Sequence, residues 1–446
     1  MASHSSAEQD HGRLLVLALL ALIVGGAAGL IGAVFRIVLD HADRLRNLVI
    51  SWAHGEALLG FVLIVVAGAA AAWIAAWLVR RFSPYASGSG IPHVEAVLRG
   101  EVPPAPYILL PVKFVGGVLA IGSGMALGRE GPSVQMGASI AHFVATAFRR
   151  SWPDCRVLMA AGAGAGLATA FNSPIAGAVF VLEELVQRFE HRIAIAALAA
   201  SATAIAVARA FLGASPDFTV EPLAPILPQG QPLFLFLGII AGVLAVGYNR
   251  LLLCAIALVG RLDRLPQEAK AGVIGAAVAI VAWFAPGLVG GGDDITQRTL
   301  SGAVALGFLP AAFLLRAVLG AGSYAAGTPG GLFAPMLVLG AQIGLLFGAG
   351  SASLFPGLGL QPQAFAVVGM AAFFTGVVRA PLTGIVLIIE MTAAFNMFLP
   401  MLVACFAAML VPTLLGDSPI YEALRVKTPA QDPEKDPLRT QGRVSD

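Results

Sequence analysis

The chain has 446 residues, of which 58% are hydrophobic and only 12% charged, against about 25% charged in an ordinary soluble domain. That balance excludes a soluble globular protein and describes a multi-pass membrane protein. A net charge of +2 gives no footprint for nucleic acid, and Cys155, Cys254 and Cys405 are too scattered for a metal site or a disulfide framework.

Residues 1–12 read as a polar N-terminal tail, and the apolar run after Arg13 lacks a small-residue cleavage site, so it reads as a retained span. Residues 14–37 and 57–79 are each long enough to cross a bilayer at ~20 residues per span, and the polar, amphipathic stretch 40–56 between them reads as a loop. From residue 87 the apolar runs become short and are broken by Gly and Pro, of which the chain holds 52 and 28. Interrupted helices of this kind point to a transport site, where unwound backbone is tolerated because it lines a cavity.

The breaks begin at Gly88-Ser89-Gly90-Ile91-Pro92, continue at Pro111-Val112-Lys113 and reach Gly128-Arg129-Glu130-Gly131-Pro132. The Gly- and Ala-rich stretch 162–166 suits close helix packing. Phe171-Asn172-Ser173-Pro174 then leads an apolar helix ending in Glu183-Glu184, and 194–212 is a further apolar run. The proline-rich stretch 214–232 reads as a linker between two halves, 13–213 and 233–427. In the second half, Arg316 lies inside an apolar run, the stretch from Gly327 to Pro335 repeats the glycine-proline theme, and Arg379-Ala380-Pro381 leads a helix ending at Glu390. Tyr421 follows the last long apolar run, and 428–446 is a charged tail.

The halves are related. Gly128, Pro132, Gly137 and Ala138 match Gly331, Pro335, Gly340 and Ala341 at an offset of 203 (331 − 128). Pro174, Gly177, Val179 and Glu183 match Pro381, Gly384, Val386 and Glu390 at an offset of 207 (381 − 174). An internal duplication of this sort places a substrate site between the repeats, near mid-membrane.

Within that frame the chemistry-bearing residues carry alternatives. Glu130 is the least expected, because a carboxylate at bilayer depth costs ~2.5–3.5 kcal/mol or more and persists where it meets a partner or a watery path. Either it pairs permanently with Arg129 or Arg316, or it occupies an anion position at a helix N-terminus and leaves on protonation. In the second case proton binding and anion binding are linked. Glu183 and Glu184 are either a solvated helix end or something more specialised: Glu183 has the acidic mate Glu390, which suggests structure, whereas Glu184 corresponds to Met391 and is the better proton site. Lys113 and Arg316 either supply a diffuse positive field or form interior ion pairs. Tyr421 either lends a hydroxyl to an anion or belongs to an interfacial aromatic belt. Neither H-E-x-x-H nor G-x-S-G occurs, so an enzyme is not expected.

Gly88-Ser89-Gly90-Ile91-Pro92, the Glu130 motif, Gly330-Gly331-Leu332-Phe333-Ala334-Pro335 and Tyr421, in that order, resemble the signature set of the CLC chloride channels and chloride/proton exchangers. The similarity runs over roughly residues 14–427. It implies an all-α polytopic membrane protein with two inverted-repeat halves of tilted, partly broken helices, assembled as a homodimer with one anion pathway per subunit. Ser89 and Tyr421 would bind the central chloride through hydroxyls, and Leu332 and Phe333 through backbone N–H groups. Glu130 would be the gating and external proton glutamate, with the backbone of Arg129 and Gly131 at an external anion position, and Glu184 the internal proton glutamate. An acid at 184 favours a secondary-active chloride/proton antiporter, the alternative being a passive chloride channel of the same fold. Ser89 favours chloride over nitrate, and Ser133-Val134-Gln135 after the Glu130 motif departs from the fluoride-exporting branch. No cofactor or metal is implied beyond the transported ions, and a bacterial inner membrane is the expected location. Arg425, Lys427, Lys435, Arg439 and Arg443 suggest a cytoplasmic C-terminus by the positive-inside tendency.

Overall fold

Proline opens helix after helix in this chain. Pro92, Pro111, Pro132, Pro153, Pro174, Pro335, Pro362 and Pro381 all stand in a first turn, where the missing N–H has no helical partner and the fixed φ is already helical. In the computed structural model, which describes residues 2–427, the described chain forms α1 (Ala2–Ala53), α2 (Ala57–Phe82), α3 (Ile91–Arg99), α4 (Leu109–Gly122), α5 (Glu130–Ala147), α6 (Trp152–Phe171), α7 (Pro174–Phe180) and α8 (His191–Leu212). A stretch with little helix leads to α9 (Gln231–Gly260), α10 (Gln267–Phe284), α11 (Asp293–Leu300), α12 (Leu309–Ala325), α13 (Phe333–Leu354), α14 (Pro362–Val378), α15 (Pro381–Thr392), α16 (Phe398–Leu414) and α17 (Ile420–Lys427). Among the described residues, seven helical stretches are long and apolar enough to cross a bilayer, the first being the 69-residue run Leu14–Phe82 that takes in most of α1 and all of α2. The others are short or deeply buried, as expected of broken helices around a cavity.

The expected loop at 40–56 is mostly helix. Helix α1 runs on to Ala53, and its polar residues Asp40, Asp43, Arg44, Arg46 and Asn47 face a cleft of about 520 Å3. Helix α1 also takes in residues 2–12, read above as a tail. Pro111 proves to be a helix start rather than a mid-helix break. The charged tail at 428–446, with Lys435, Arg439 and Arg443, lies outside the described residues.

The duplication is visible as packing. Helix α5 lies against α6 through Gly137 and Gly162, and α13 against α14 through Gly340 and Gly369; in each pair a Cβ on either glycine would strike the other's carbonyl oxygen. Any side chain would force these helices apart, which is why both halves carry glycine there. The two motif strands meet across a pseudo-two-fold: the Gly128 N–H donates to the Gly331 carbonyl at 2.9 Å, and the Gly331 N–H returns to Gly128 at 2.7 Å, as an antiparallel bridge. Gly88 and Gly90, with φ of +60° and +85°, have mates in Gly290 and Gly292, at +81° and +113°.

Glu183 and Glu390 complete the symmetry and correct the solvated-end reading for Glu183. Its carboxylate accepts the N–H groups of Leu382 (3.0 Å) and Thr383 (2.6 Å) at the start of α15. Glu390, on α15, accepts those of Ile175 (3.1 Å) and Ala176 (2.8 Å) at the start of α7. Each half thus caps the other's broken helix, supplying the acceptor that its first-turn donors lack.

Candidate functional site

Helices α5 and α13 point their N-termini at one another, and the side chain between them is Glu130. It is fully buried, and its Oε1 accepts the Phe333 N–H at 2.6 Å. The space for that carboxylate exists because positions 128 and 331 are glycine: a Cβ on either would overlap it. First-turn N–H groups carry the positive end of the helix dipole, so an acid here sits where an anion is favoured. Neither Arg129 nor Arg316 is its partner. Arg129 donates to Asp293 (2.7 Å), Asp217 (3.4 Å) and the Ala170 carbonyl (2.9 Å), and Arg316 to the carbonyls of Leu288, Gly290 and Gly291 at 2.9–3.3 Å.

Lys113 is equally committed. Its ammonium donates to the carbonyls of Ala86 (3.0 Å) and Gly88 (2.7 Å), so it tethers the loop that carries Ser89 rather than forming an ion pair or acting as a loose charge. Residues 113 and 316 are mates at the same offset of 203 (316 − 113), and Ala86 and Gly88 correspond to Leu288 and Gly290 at an offset one shorter, 202 (290 − 88). Both halves use one device: a buried cation on the helix before the motif gathers the carbonyls of a glycine loop.

Ser89 lies against the start of α5, since a Cβ on Gly131 would come within 2.5 Å of its hydroxyl oxygen. Tyr421 is wholly buried and its ring stacks at 6.0 Å on Phe333, so it is not part of an interfacial belt. The Ser89 and Tyr421 hydroxyls lie within reach of each other, and neither they nor the buried Glu130 Oε2 has any other hydrogen-bond partner. Buried polar atoms left unpaired each cost about 1–3 kcal/mol, and three of them converging on the starts of α5 and α13 form a surface that an anion would complete. Leu332 caps α13, with its backbone beside the same space; Arg129 holds the equivalent place on α5, and Gly131 follows in its first turn.

Phe171, Phe180 and Phe374 surround the Phe333 ring with centroids 4.7–6.0 Å away. They wall the site with apolar surface and fix the Phe333 backbone; nothing in their sequence context marked them beyond apolar character. Asp217, Asp293 and Tyr324 were also missed, although Tyr324 receives the Ser89 N–H at 3.4 Å. Glu184 stands apart from this group, on the single π-helical turn Val181–Leu185 that follows α7. It is buried, with Glu95, Glu183, Arg99 and Glu422 as its charged neighbours. A π turn widens the helix by one residue and is common at functional positions; here Glu183 turns to cap α15 while Glu184 turns inward. On the other side the 520 Å3 cleft reaches Gly128 and Arg129, bringing it to the opening of α5.

The chain is similar to known proteins over most of its length. The family model described as voltage gated chloride channel matches residues 71–413. The H(+)/Cl(-) exchange transporter ClcA of Vibrio parahaemolyticus is 38% identical over 420 residues, covering 93% of this chain and 90% of that protein. Its counterpart in Yersinia pseudotuberculosis is 36% identical over 423 residues, covering 94% and 88%. Among solved structures, a slow cyanobacterial Cl-/H+ antiporter aligns with a TM-score of 0.89 at 32% identity, covering 93% of this chain and 98% of that one.

Proposed function

The chain belongs to the voltage gated chloride channel family, and from that premise we propose that it is a secondary-active antiporter exchanging chloride for protons. The two ClcA relatives and the cyanobacterial structure described above, each matching over most of its length, are exchangers by name. The observation that carries the reading is the seat of Glu130, a carboxylate held by the Phe333 N–H in a place fitted for an anion.

The cycle follows from charge. Ionised Glu130 occupies the position at the helix starts and excludes chloride. A proton removes its charge, its hold on the positive helix ends weakens, and chloride takes the vacated place. Chloride then lies between the hydroxyls of Ser89 and Tyr421 and the N–H groups of Leu332 and Phe333, with the backbone of Arg129 and Gly131 as the outer position. Each ion removes the other's competitor, so their movements are coupled. Glu184 passes protons between Glu130 and the opposite side. Binding through partial charges rather than a fixed ammonium keeps chloride mobile, as transport requires.

We further propose that the two halves, 13–213 and 233–427, are joined by the linker at 214–232 and that the protein works as a homodimer with one pathway per subunit. It would reside in a bacterial inner membrane, with the C-terminus cytoplasmic and the cleft at Arg129 facing outward. A passive chloride channel is the alternative, and one assay separates them. Purified protein in sealed vesicles with an imposed chloride gradient is expected to drive protons uphill; chloride flux with no proton movement would overturn antiport.

A further inference from the structure

Arg129 and Glu130 are adjacent in the chain and opposite in charge, yet they do not pair. Each nitrogen of the guanidinium is engaged elsewhere: Nε to the Ala170 carbonyl at 2.9 Å, Nη1 to Asp293 at 2.7 Å, Nη2 to Asp217 at 3.4 Å. Asp217 is in turn held by Arg36 of α1 at 2.7 Å. The charges alternate along Arg36, Asp217, Arg129 and Asp293, and the acids come from the proline-rich stretch between the halves and from the start of α11. All but Asp293, which reaches into the cleft, are largely shielded from solvent.

We infer that Asp217 and Asp293 are positioning residues that hold Arg129 away from Glu130, leaving the carboxylate only backbone partners that it can leave. This rests on the reading of Glu130 as the gate. An Arg–carboxylate pair is strong and often bidentate, and a gate held that way would be slow to release its place. Backbone N–H groups offer a weaker grip and the same partners that chloride uses. The charged and titratable groups facing Glu130 are Arg129, Asp293 of α11, Tyr248 of α9 and Tyr421 of α17; Asp40 and Asp217 act through Arg129. Of these, only Arg129 carries a positive charge, so freeing it favours ionised Glu130; Asp293 is also a negative charge facing Glu130 directly, so the Asp217 contact, which acts through Arg129, isolates the effect of freeing the guanidinium.

The test is chloride efflux from vesicles over a range of pH set equally on both sides. Asp293→Asn removes the negative charge that holds the guanidinium away from Glu130, and the acid-activated part of the efflux curve is expected to move by about half a pH unit or more toward lower pH. Asp293→Glu restores the original curve, and Asp217→Asn, whose contact is longer, gives a smaller displacement in the same direction. On a Glu130→Gln background none of these changes moves the curve. A purely structural role for Asp293 would lower the efflux amplitude without displacing its pH dependence, and that result would overturn the inference, as would an equal displacement in the Glu130→Gln background. If Asp293→Asn does not fold, Asp217→Asn decides on the same criterion. Because the readout is anion flux alone, a wild-type protein that moves chloride without protons would defeat the exchange reading while leaving this test intact.

Discussion

The carboxylate of Glu130 and the backbone N–H of Phe333, 203 residues apart, meet at 2.6 Å. They are also mates in the duplication, so one half presents an acid and the other an amide at the same place of a matching helix start. Glu130→Gln keeps the shape and removes the charge. The amide cannot compete with chloride as an anion, so chloride flux is expected to persist, lose its pH dependence and move no protons. Coupled exchange that survives in this variant, measured by recording both ions in vesicles, would contradict the competition.

Glu184 is tested the same way but should fail differently. It lies on the π turn, away from the convergent hydroxyls and N–H groups, so its neutralisation interrupts protons without touching the chloride position. Glu184→Gln is expected to reduce proton movement to background while chloride efflux remains within about threefold of wild type, a change of under ~1 kcal/mol in barrier. Unchanged proton coupling would leave Glu184 as a buried acid with no part in transport.

The hydroxyls of Ser89 and Tyr421 offer a test in which stability and function should move in opposite directions. Both are buried with no partner but each other, so in the absence of an anion their remaining hydrogen-bonding capacity is unsatisfied, at a cost of about 1–3 kcal/mol. Ser89→Ala and Tyr421→Phe are each expected to raise, or leave unchanged, the unfolding temperature in chloride-free detergent. The same variants should weaken chloride binding severalfold by calorimetry. A loss of stability without chloride would mean the hydroxyls have structural partners.

Much of this site was legible because function broke local rules. Glycine and proline inside apolar runs, an acid at membrane depth and a repeat at a constant offset all stand out in the chain, and they led to Ser89, Glu130, Phe333 and Tyr421. The misreading of 40–56 came from treating polarity as a chain break. In the fold, Asp40, Asp43 and Arg46 stay helical because the cleft lets them meet water, and a helix can carry a polar face wherever one side is wet. Asp217 and Asp293 were invisible for another reason: one sits in the proline-rich connection and the other at the start of the short helix α11, and only the tertiary fold brings them to Arg129. The aromatic wall around Phe333 was hidden too, since phenylalanine in an apolar helix carries no signal of what it faces.

The exchanged caps make a stability prediction. Glu390→Ala leaves the Ile175 and Ala176 N–H groups without their acceptor at the start of α7, and Glu183→Ala does the same at the start of α15. Each loss is expected to cost about 1–2 kcal/mol, the usual range for a missing cap, seen as a lower midpoint of unfolding. Only Glu183→Ala should also disturb proton coupling, because it shares its turn with Glu184. If both variants unfold like wild type, the two carboxylates are not caps in the membrane-embedded protein.

Lys113 and Arg316 hold equivalent loops, but only one of those loops carries Ser89, and this asymmetry separates their roles. Lys113→Met removes the donor to the Ala86 and Gly88 carbonyls, at about 1.5–3 kcal/mol for each hydrogen bond from a charged group. Loosening that loop lets the Ser89 hydroxyl wander from its place beside Gly131, so chloride affinity should fall together with stability. Arg316→Met frees the carbonyls of Leu288, Gly290 and Gly291 instead, of which Gly290 and Gly291 border the cleft. It should lower stability to a similar degree and slow chloride arrival, with equilibrium affinity at the Ser89 position changed less. Calorimetry of chloride binding beside unfolding curves for the two variants makes the comparison. Equal losses of affinity would mean that both cations act through their charge alone, and that the loops they gather are incidental.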